Sequence, residues 1–293
     1  MQNMQFRMKT DGFHGELFCP ETDEYPGKVL IVFGGSDGKF ELARALAAVF
    51  QGHGLTMLAL AYVNEEGLPT AFYHVPIDPL EAAARRLHEL GYEKVGLWGI
   101  SKGAELALTA GSLLPGLINA VVAVAPMNTV CQGFAKEKGI SIMPGSAWSF
   151  HGKEVPYSSF DLKKFPLGHV LWNSLKAREV TMYDLYIPLV RKPNPNAVIQ
   201  VERITGPILL ISSQMDTMWP SEVAAKEIMK RLEEKKFPYA YQHLSYQYGS
   251  HLFVPMELSA AKFFRGDRGK NKEPGRRART DSLVKALEFV SQW

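Results

Sequence analysis

Lys94-Val95-Gly96-Leu97-Trp98-Gly99-Ile100-Ser101-Lys102-Gly103-Ala104-Glu105-Leu106-Ala107 is the stretch whose reading decides the fold. Lys94 to Gly99 is a mostly apolar run, as expected of a strand buried on both faces. Lys102 to Leu114 reads as the helix that follows it. Between them stands Gly99-Ile100-Ser101-Lys102-Gly103, a G-x-S-x-G sequence joining strand to helix. A serine on so sharp a turn needs small neighbours because strand and helix pack closely there, and Gly103, Ala104 and Ala107 supply them. The helix start adds free N–H groups and a dipole that favours negative charge. The bland alternative is a glycine-rich turn with an idle serine.

The same grammar extends outward in both directions. Upstream, Lys28 to Phe33 is a continuous apolar run ending in Gly34-Gly35-Ser36-Asp37-Gly38. A helix follows with Leu42, Ala45, Leu46 and Val49 on one face and Gly52-His53-Gly54 as its stop. Leu55 to Tyr62 is the next strand. Asp78 as N-cap and Pro79 open a helix that runs to Leu90, with Gly91 ending it. Downstream come a strand over Ala120 to Ala125, another over Pro207 to Ser212, a helix from Ser221 to Lys236 and a strand from Tyr239 to Tyr246. An amphipathic helix, roughly Thr280 to Trp293, closes the series, and Phe6 to Pro20 reads as a short hairpin. Strands alternating with helices predict βαβ units and a parallel sheet. Met127 to Thr205 breaks the pattern and is rich in proline and aromatics, among them Trp148, Tyr157, Phe160, Phe165, Trp172, Tyr183 and Tyr186. So long a stretch reads as a cap or lid inserted into a single domain spanning 1–293.

Composition excludes several classes. With 293 residues, 46% hydrophobic and 22% charged, the chain is neither disordered nor collagen-like. A balance of 33 basic to 30 acidic residues gives +3, too mild to argue for nucleic acid. The two cysteines, Cys19 and Cys131, suit a reducing compartment. Met1 to Phe18 carries Arg7, Lys9, Asp11 and Glu16 and has no hydrophobic signal region. The most apolar stretch, Leu117 to Met127, falls short of the ~20 residues of a membrane span. The expectation is a soluble cytoplasmic protein. Histidine spacings for metal, a P-loop and the G-x-G-x-x-G fingerprint are all missing, so neither metal nor cofactor is expected. Arg265 to Arg279, with seven basic residues against Asp267 and Glu273, reads by default as a solvated loop, with phosphate contact as the alternative.

Chain order then selects a triad. In the α/β-hydrolase arrangement, a mostly parallel sheet flanked by helices, the order is Ser, acid, His, with the acid past a later strand. Two strands after Ser101 comes Ile208 to Ser212, and just beyond it Asp216. The rival Ser36 lies in a second G-x-S-x-G, Gly34 to Gly38, but two strands later the chain reaches only Lys94 to Gly99, with no carboxylate. Ser101 is the expected nucleophile. Asp216 is its acid, with a mere helix-entry role as the alternative. His251 follows Tyr248-Gly249-Ser250 beyond the last strand and is the expected base, whereas His243 falls inside that strand and reads as packed core. The oxyanion donors are then the N–H of Lys102 and that of Gly35 or Ser36. Each such donor is worth about 3 kcal/mol in a transition state.

Gly99-Ile100-Ser101-Lys102-Gly103-Ala104-Glu105-Leu106 resembles the elbow of the acyl-CoA thioesterase and bile acid-CoA:amino acid N-acyltransferase family, in its carboxy-terminal catalytic domain. Phe33-Gly34-Gly35, His151-Gly152-Lys153 with Val155-Pro156, and Val201 to Leu210 with Asp216 and Trp219 resemble further parts of it. The likeness runs from about Pro26 to Trp293. It implies Ser101, Asp216 and His251 acting on an acyl-CoA thioester, a small-molecule partner. Two departures stand out: members carry an amino-terminal Ig-like β domain where this chain reads as a hairpin, and Ser250 stands where they usually place Gly. The expected function is hydrolysis of acyl-CoA through an acyl-enzyme. The alternatives are a carboxylesterase or dienelactone-hydrolase-like esterase, acyl transfer to an amine, or a non-catalytic binding fold.

Overall fold

The computed structural model describes residues 3–136, 139, 141–161, 167–177, 179 and 181–293. Its main sheet contains β1 (Met4–Phe6), β2 (His14–Phe18), β3 (Lys28–Phe33), β4 (Thr56–Ala61), β5 (Lys94–Ile100), β6 (Ala120–Val124), β7 (Ile208–Ser213) and β8 (Tyr241–Tyr246). The spatial order is β1-β2-β4-β3-β5-β6-β7-β8. β1 and β2 run antiparallel to their neighbours, and every pairing from β4 to β8 is parallel.

The apolar runs account for that sheet. In β3, Val29, Ile31 and Phe33 face one layer while Leu30 and Val32 face the other, as the two-residue period of a strand requires. The first layer packs under α2 (Asp78–Glu89), α3 (Lys102–Leu113) and α6 (Ser221–Glu234), through Ala83, Leu87, Ala107, Leu108, Ile228 and Leu232. The second packs under α1 (Phe40–Gln51) and α7 (Lys272–Gln292), through Leu46, Phe50, Ala286 and Val290. Each large apolar side chain so buried contributes about 1.5–3 kcal/mol.

Three expectations are corrected. Asp78 is the first residue of α2 and not its cap; Ile77 holds the cap position, and the Asp78 carboxylate instead accepts the His151 N–H at 3.2 and 3.3 Å. The final helix begins at Lys272, eight residues early. The basic run Arg265 to Arg279 is solvated as expected at most of its basic side chains but is not a loop: two 3₁₀ turns (Arg265–Asp267 and Gly269–Asn271) lead into α7, and Arg279, 4% exposed, is paired with Asp267 and Glu257. Burial of that pair draws the segment onto the body of the molecule. Met127 to Thr205 also has more order than its sequence suggests. Gln132–Ala135 pairs with Ser141–Ser146, while Trp148–Phe150 runs parallel to Val75–Pro76 and antiparallel to Lys153–Glu154. Two helices follow, α4 (Leu167–Ala177) and α5 (Tyr183–Arg191). Phe165, expected in this stretch, lies outside the described residues.

Candidate active site

Ser101 occupies the junction of β5 and α3 with φ 59° and ψ −122°. A non-glycine residue there stores about 1–3 kcal/mol of backbone strain. The surroundings enforce it: Ser101 N–H donates to Val124 O at 2.9 Å, and Ser101 O accepts Ala104 N–H at 2.9 Å and Glu105 N–H at 3.1 Å. The two flanking glycines permit it. A Cβ on Gly99 would lie 2.2 Å from Gly103 O, and one on Gly103 would lie 2.2 Å from Gly34 O. The strand end, helix start and β3 loop thus touch backbone to backbone.

Two remote residues meet this serine. His251, on the loop after β8, holds Nε2 2.7 Å from Ser101 Oγ. Its Nδ1 lies 2.9 and 3.1 Å from the two Asp216 oxygens. A carboxylate only accepts, so the ring proton belongs on Nδ1, leaving Nε2 to accept from the serine hydroxyl. All three side chains are buried. Asp216 is oriented in turn: Oδ1 accepts Met218 N–H at 2.9 Å and Trp219 N–H at 3.3 Å, and Oδ2 accepts Ser221 Oγ–H at 2.6 Å. It therefore serves more than helix entry. Trp219 stands edge-on to the His251 ring at 5.4 Å and donates Nε1–H to Ala125 O at 3.0 Å. Ser213 Oγ–H donates to Gly249 O at 2.7 Å, fixing the histidine loop against β7.

The other expected residues fall as follows. Lys102 is the first residue of α3, where a helical N–H has no carbonyl one turn back to reach. Gly35 borders Ser101: a Cβ built on it would lie 3.2 Å from Ser101 Cβ. Ser36 lies in the same β3 loop, and the His251 ring pairs with Ser101, not with it. His243 lies on β8 with Nε2 2.8 Å from Ser212 Oγ; burial pushes its pKa below the usual histidine value.

Sequence reasoning did not find the buried polar layer under the elbow. Lys102 Nζ donates to both Glu105 oxygens at 2.8 and 2.9 Å. Glu105 Oε1 also accepts Cys131 N–H at 3.1 Å and Trp148 Nε1–H at 2.8 Å. The only local signal was a Lys–Glu pair three apart on an otherwise apolar helix. Aromatics of the insertion reach the acid loop as well, Phe160 stacking edge-on against Tyr186 and Tyr186 against Trp219. Trp172 instead faces outward, 64% exposed.

Sheet order, strained serine at the end of β5 and histidine loop beyond β8 define the α/β-hydrolase fold. Solved structures agree on the fold: the α/β hydrolase MGS-M1, from a Medee basin deep-sea metagenome library, covers 100% of this chain and 99% of its own at TM-score 0.57 and 14% identity. The chain belongs to the BAAT / acyl-CoA thioester hydrolase C-terminal family, whose model matches residues 81–258. Among curated relatives, human acyl-coenzyme A thioesterase 1 is 31% identical over 226 residues, 75% of this chain and 47% of its own length. Human mitochondrial acyl-coenzyme A thioesterase 2 is likewise 31% identical over 226 residues, which is 75% of this chain and 41% of that protein. The chain thus spans about half the length of these relatives. Among the described residues, no helix is long and apolar enough to cross a membrane.

Proposed function

We propose that the chain is a serine hydrolase of acyl thioesters, acyl-CoA above all, working through an acyl-enzyme on Ser101. The observation that carries the reading is the relay Ser101 Oγ–His251–Asp216, with contacts of 2.7 and 2.9 Å. His251 Nε2 takes the hydroxyl proton as Oγ attacks the thioester carbonyl, and Asp216 stabilises the imidazolium. The Lys102 N–H and the Ser36 N–H, with Gly35 as the alternative donor, bind the oxyanion. Collapse of the tetrahedral intermediate breaks the C–S bond, and the His251 proton passes to the departing thiolate. Water, deprotonated by the same ring, then attacks the acyl ester, and as the C–Oγ bond breaks the ring returns that proton to Ser101 Oγ and the carboxylic acid leaves. The names of the relatives favour the CoA thioester over a simple ester. The segment 127–205 is the cap over the acyl chain, supported by the Phe160–Tyr186–Trp219 ladder that leads to His251. Two free thiols fit a reducing compartment such as the cytoplasm.

A fluorophosphonate probe tests the nucleophile. Wild type and Ser36→Ala are expected to label, and Ser101→Ala is not; labelling lost with Ser36→Ala alone would reverse the assignment. A panel of acyl-CoA thioesters and nitrophenyl esters tests the substrate. Turnover of short esters with none of any CoA thioester would overturn the thioesterase reading in favour of an esterase.

A further inference from the structure

Tyr62 lies one residue past β4, far from the triad in sequence, and its hydroxyl contacts two successive carbonyls of the β3 loop. The O–H lies 2.7 Å from Gly35 O and 3.0 Å from Gly34 O. The ring cannot turn away, since Phe33, Phe72 and Trp148 hold it at centroid distances of 6.1, 5.9 and 5.9 Å. Burial, with the nearby carboxylates of Asp37 and Glu105 adding to it, pushes the phenol well above its ordinary pKa. The group is therefore a neutral O–H with a proton to donate.

A trans peptide points its C=O and N–H to opposite sides. The Gly35 carbonyl is anchored by the Tyr62 hydroxyl at 2.7 Å and, at the longer distance of 3.3 Å, by the Gly38 N–H, and the shorter bond fixes the direction of the Ser36 N–H, on the side of the peptide away from the phenol. The same loop lies against the nucleophile, with a Cβ on Gly35 reaching 3.2 Å from Ser101 Cβ. On the next peptide, Lys136 Nζ donates to Ser36 O, so the Ser36 peptides are held at both carbonyls.

We propose that Tyr62 is a positioning residue of the oxyanion hole, its hydroxyl setting the orientation of the Gly35–Ser36 peptide so that the Ser36 N–H meets the developing oxyanion. The proposal rests on the reading of Ser36 N–H as an oxyanion donor. Removing such a donor outright costs about 10²–10³ in kcat, and leaving it present but unaimed costs less.

Tyr62→Phe tests it by removing one oxygen while keeping the packed ring. With an acyl-CoA substrate, kcat is expected to fall roughly 10- to 100-fold with KM changed less than about twofold. Binding of a boronic acid, which forms a tetrahedral adduct, should weaken by the same factor, and binding of a non-hydrolysable acyl-CoA thioether should not change. Ile228→Ala, a core truncation on α6, controls for destabilisation: it should lower the melting temperature at least as much and leave kcat within about twofold. Tyr62→Phe with wild-type kcat, or an equal loss for boronic acid and thioether, would overturn the proposal, as would a kcat loss matched by Ile228→Ala. Failure of wild-type Ser101 to label with fluorophosphonate would instead overturn the underlying hydrolase reading, and the two failures are thereby distinguished.

Discussion

Gly103→Ala puts a single methyl where backbone now meets backbone. The added Cβ would lie 2.2 Å from Gly34 O and 3.0 Å from both Phe33 O and Phe33 Cδ2. An ordinary close C···O contact is about 3.3 Å, so the β3 loop and the start of α3 must separate by roughly 1 Å. Gly34 O is also an acceptor of the Tyr62 hydroxyl at 3.0 Å, so the displacement loosens that bond as well. A misplacement of about 1 Å at reacting groups costs on the order of 10²-fold in rate, about 2.7 kcal/mol of barrier. Overpacking adds about 1–3 kcal/mol of lost stability, a drop of several degrees in melting temperature for a chain this long. Steady-state hydrolysis of an acyl-CoA and a thermal melt read the two effects. Gly52→Ala, just past α1 with φ −62°, serves as the control, since a Cβ there makes only ordinary contacts, 3.4 Å from Val49 O and 3.5 Å from Ala48 O, and should leave kcat unchanged without lowering the melting temperature. Wild-type kcat and melting temperature in Gly103→Ala would refute the claim that glycine contact sets the geometry of the elbow.

Two further outcomes follow from buried titratable groups. Burial, reinforced by the Glu105 carboxylate, pushes the Cys131 thiol well above its ordinary value, so at pH 8 an aromatic disulfide reagent should titrate Cys19 in the native protein and reach Cys131 only after unfolding; two fast native thiols would contradict this. His243 has its pKa lowered first by burial, then by Lys226, against an opposing pull from Glu222. As pH falls below the unfolded value of about 6.5, the unfolded chain takes up a proton that the folded one resists, so stability is fully present above that pH and is lost as pH falls through the folded pKa. His243→Gln should therefore flatten the melting-temperature profile below about pH 6.5 relative to wild type, and an unchanged profile would show that this imidazole is not resisting protonation.

The sheet was legible because its inner strands are continuous apolar runs. Lys28–Phe33 appears with its expected limits, while Thr56–Ala61 and Ala120–Val124 are trimmed by a residue at one or both ends. The three residues of the relay were legible for a related reason: each stands just past a readable strand, and the turn chemistry of Gly99 to Gly103 marks one of them. What failed depends on partners distant in sequence. Trp148–Phe150 becomes a strand by pairing with Val75–Pro76, across more than seventy residues, and no local period announces that. Lys272-Glu273-Pro274-Gly275 reads as loop, yet starts α7 as the buried Arg279–Asp267 pair holds the segment down. Asp78 has a good capping side chain but lies one residue inside the helix, where the amide of His151 takes its carboxylate.

The division between legible and hidden residues follows the physics of the site. A nucleophile and its relay must be particular residue types at strand ends, so type and position alone suggest them. The groups that hold backbone donors in place can come from any element that passes nearby. Tyr62 beneath one expected donor and Glu105 beneath the other come from just past β4 and from α3, and one side chain of the insertion joins them: Trp148 packs on the Tyr62 ring at 5.9 Å and donates Nε1–H to Glu105 at 2.8 Å. Glu105 in turn holds the Lys102 ammonium, so a single indole braces the supports of both N–H groups. A buried charged pair costs desolvation that its own attraction seldom repays. What the Glu105 carboxylate does beside the strained serine is join elements, accepting Cys131 N–H at 3.1 Å and Trp148 Nε1–H at 2.8 Å as well as the Lys102 ammonium, so that the start of α3 and the insertion meet on one buried group.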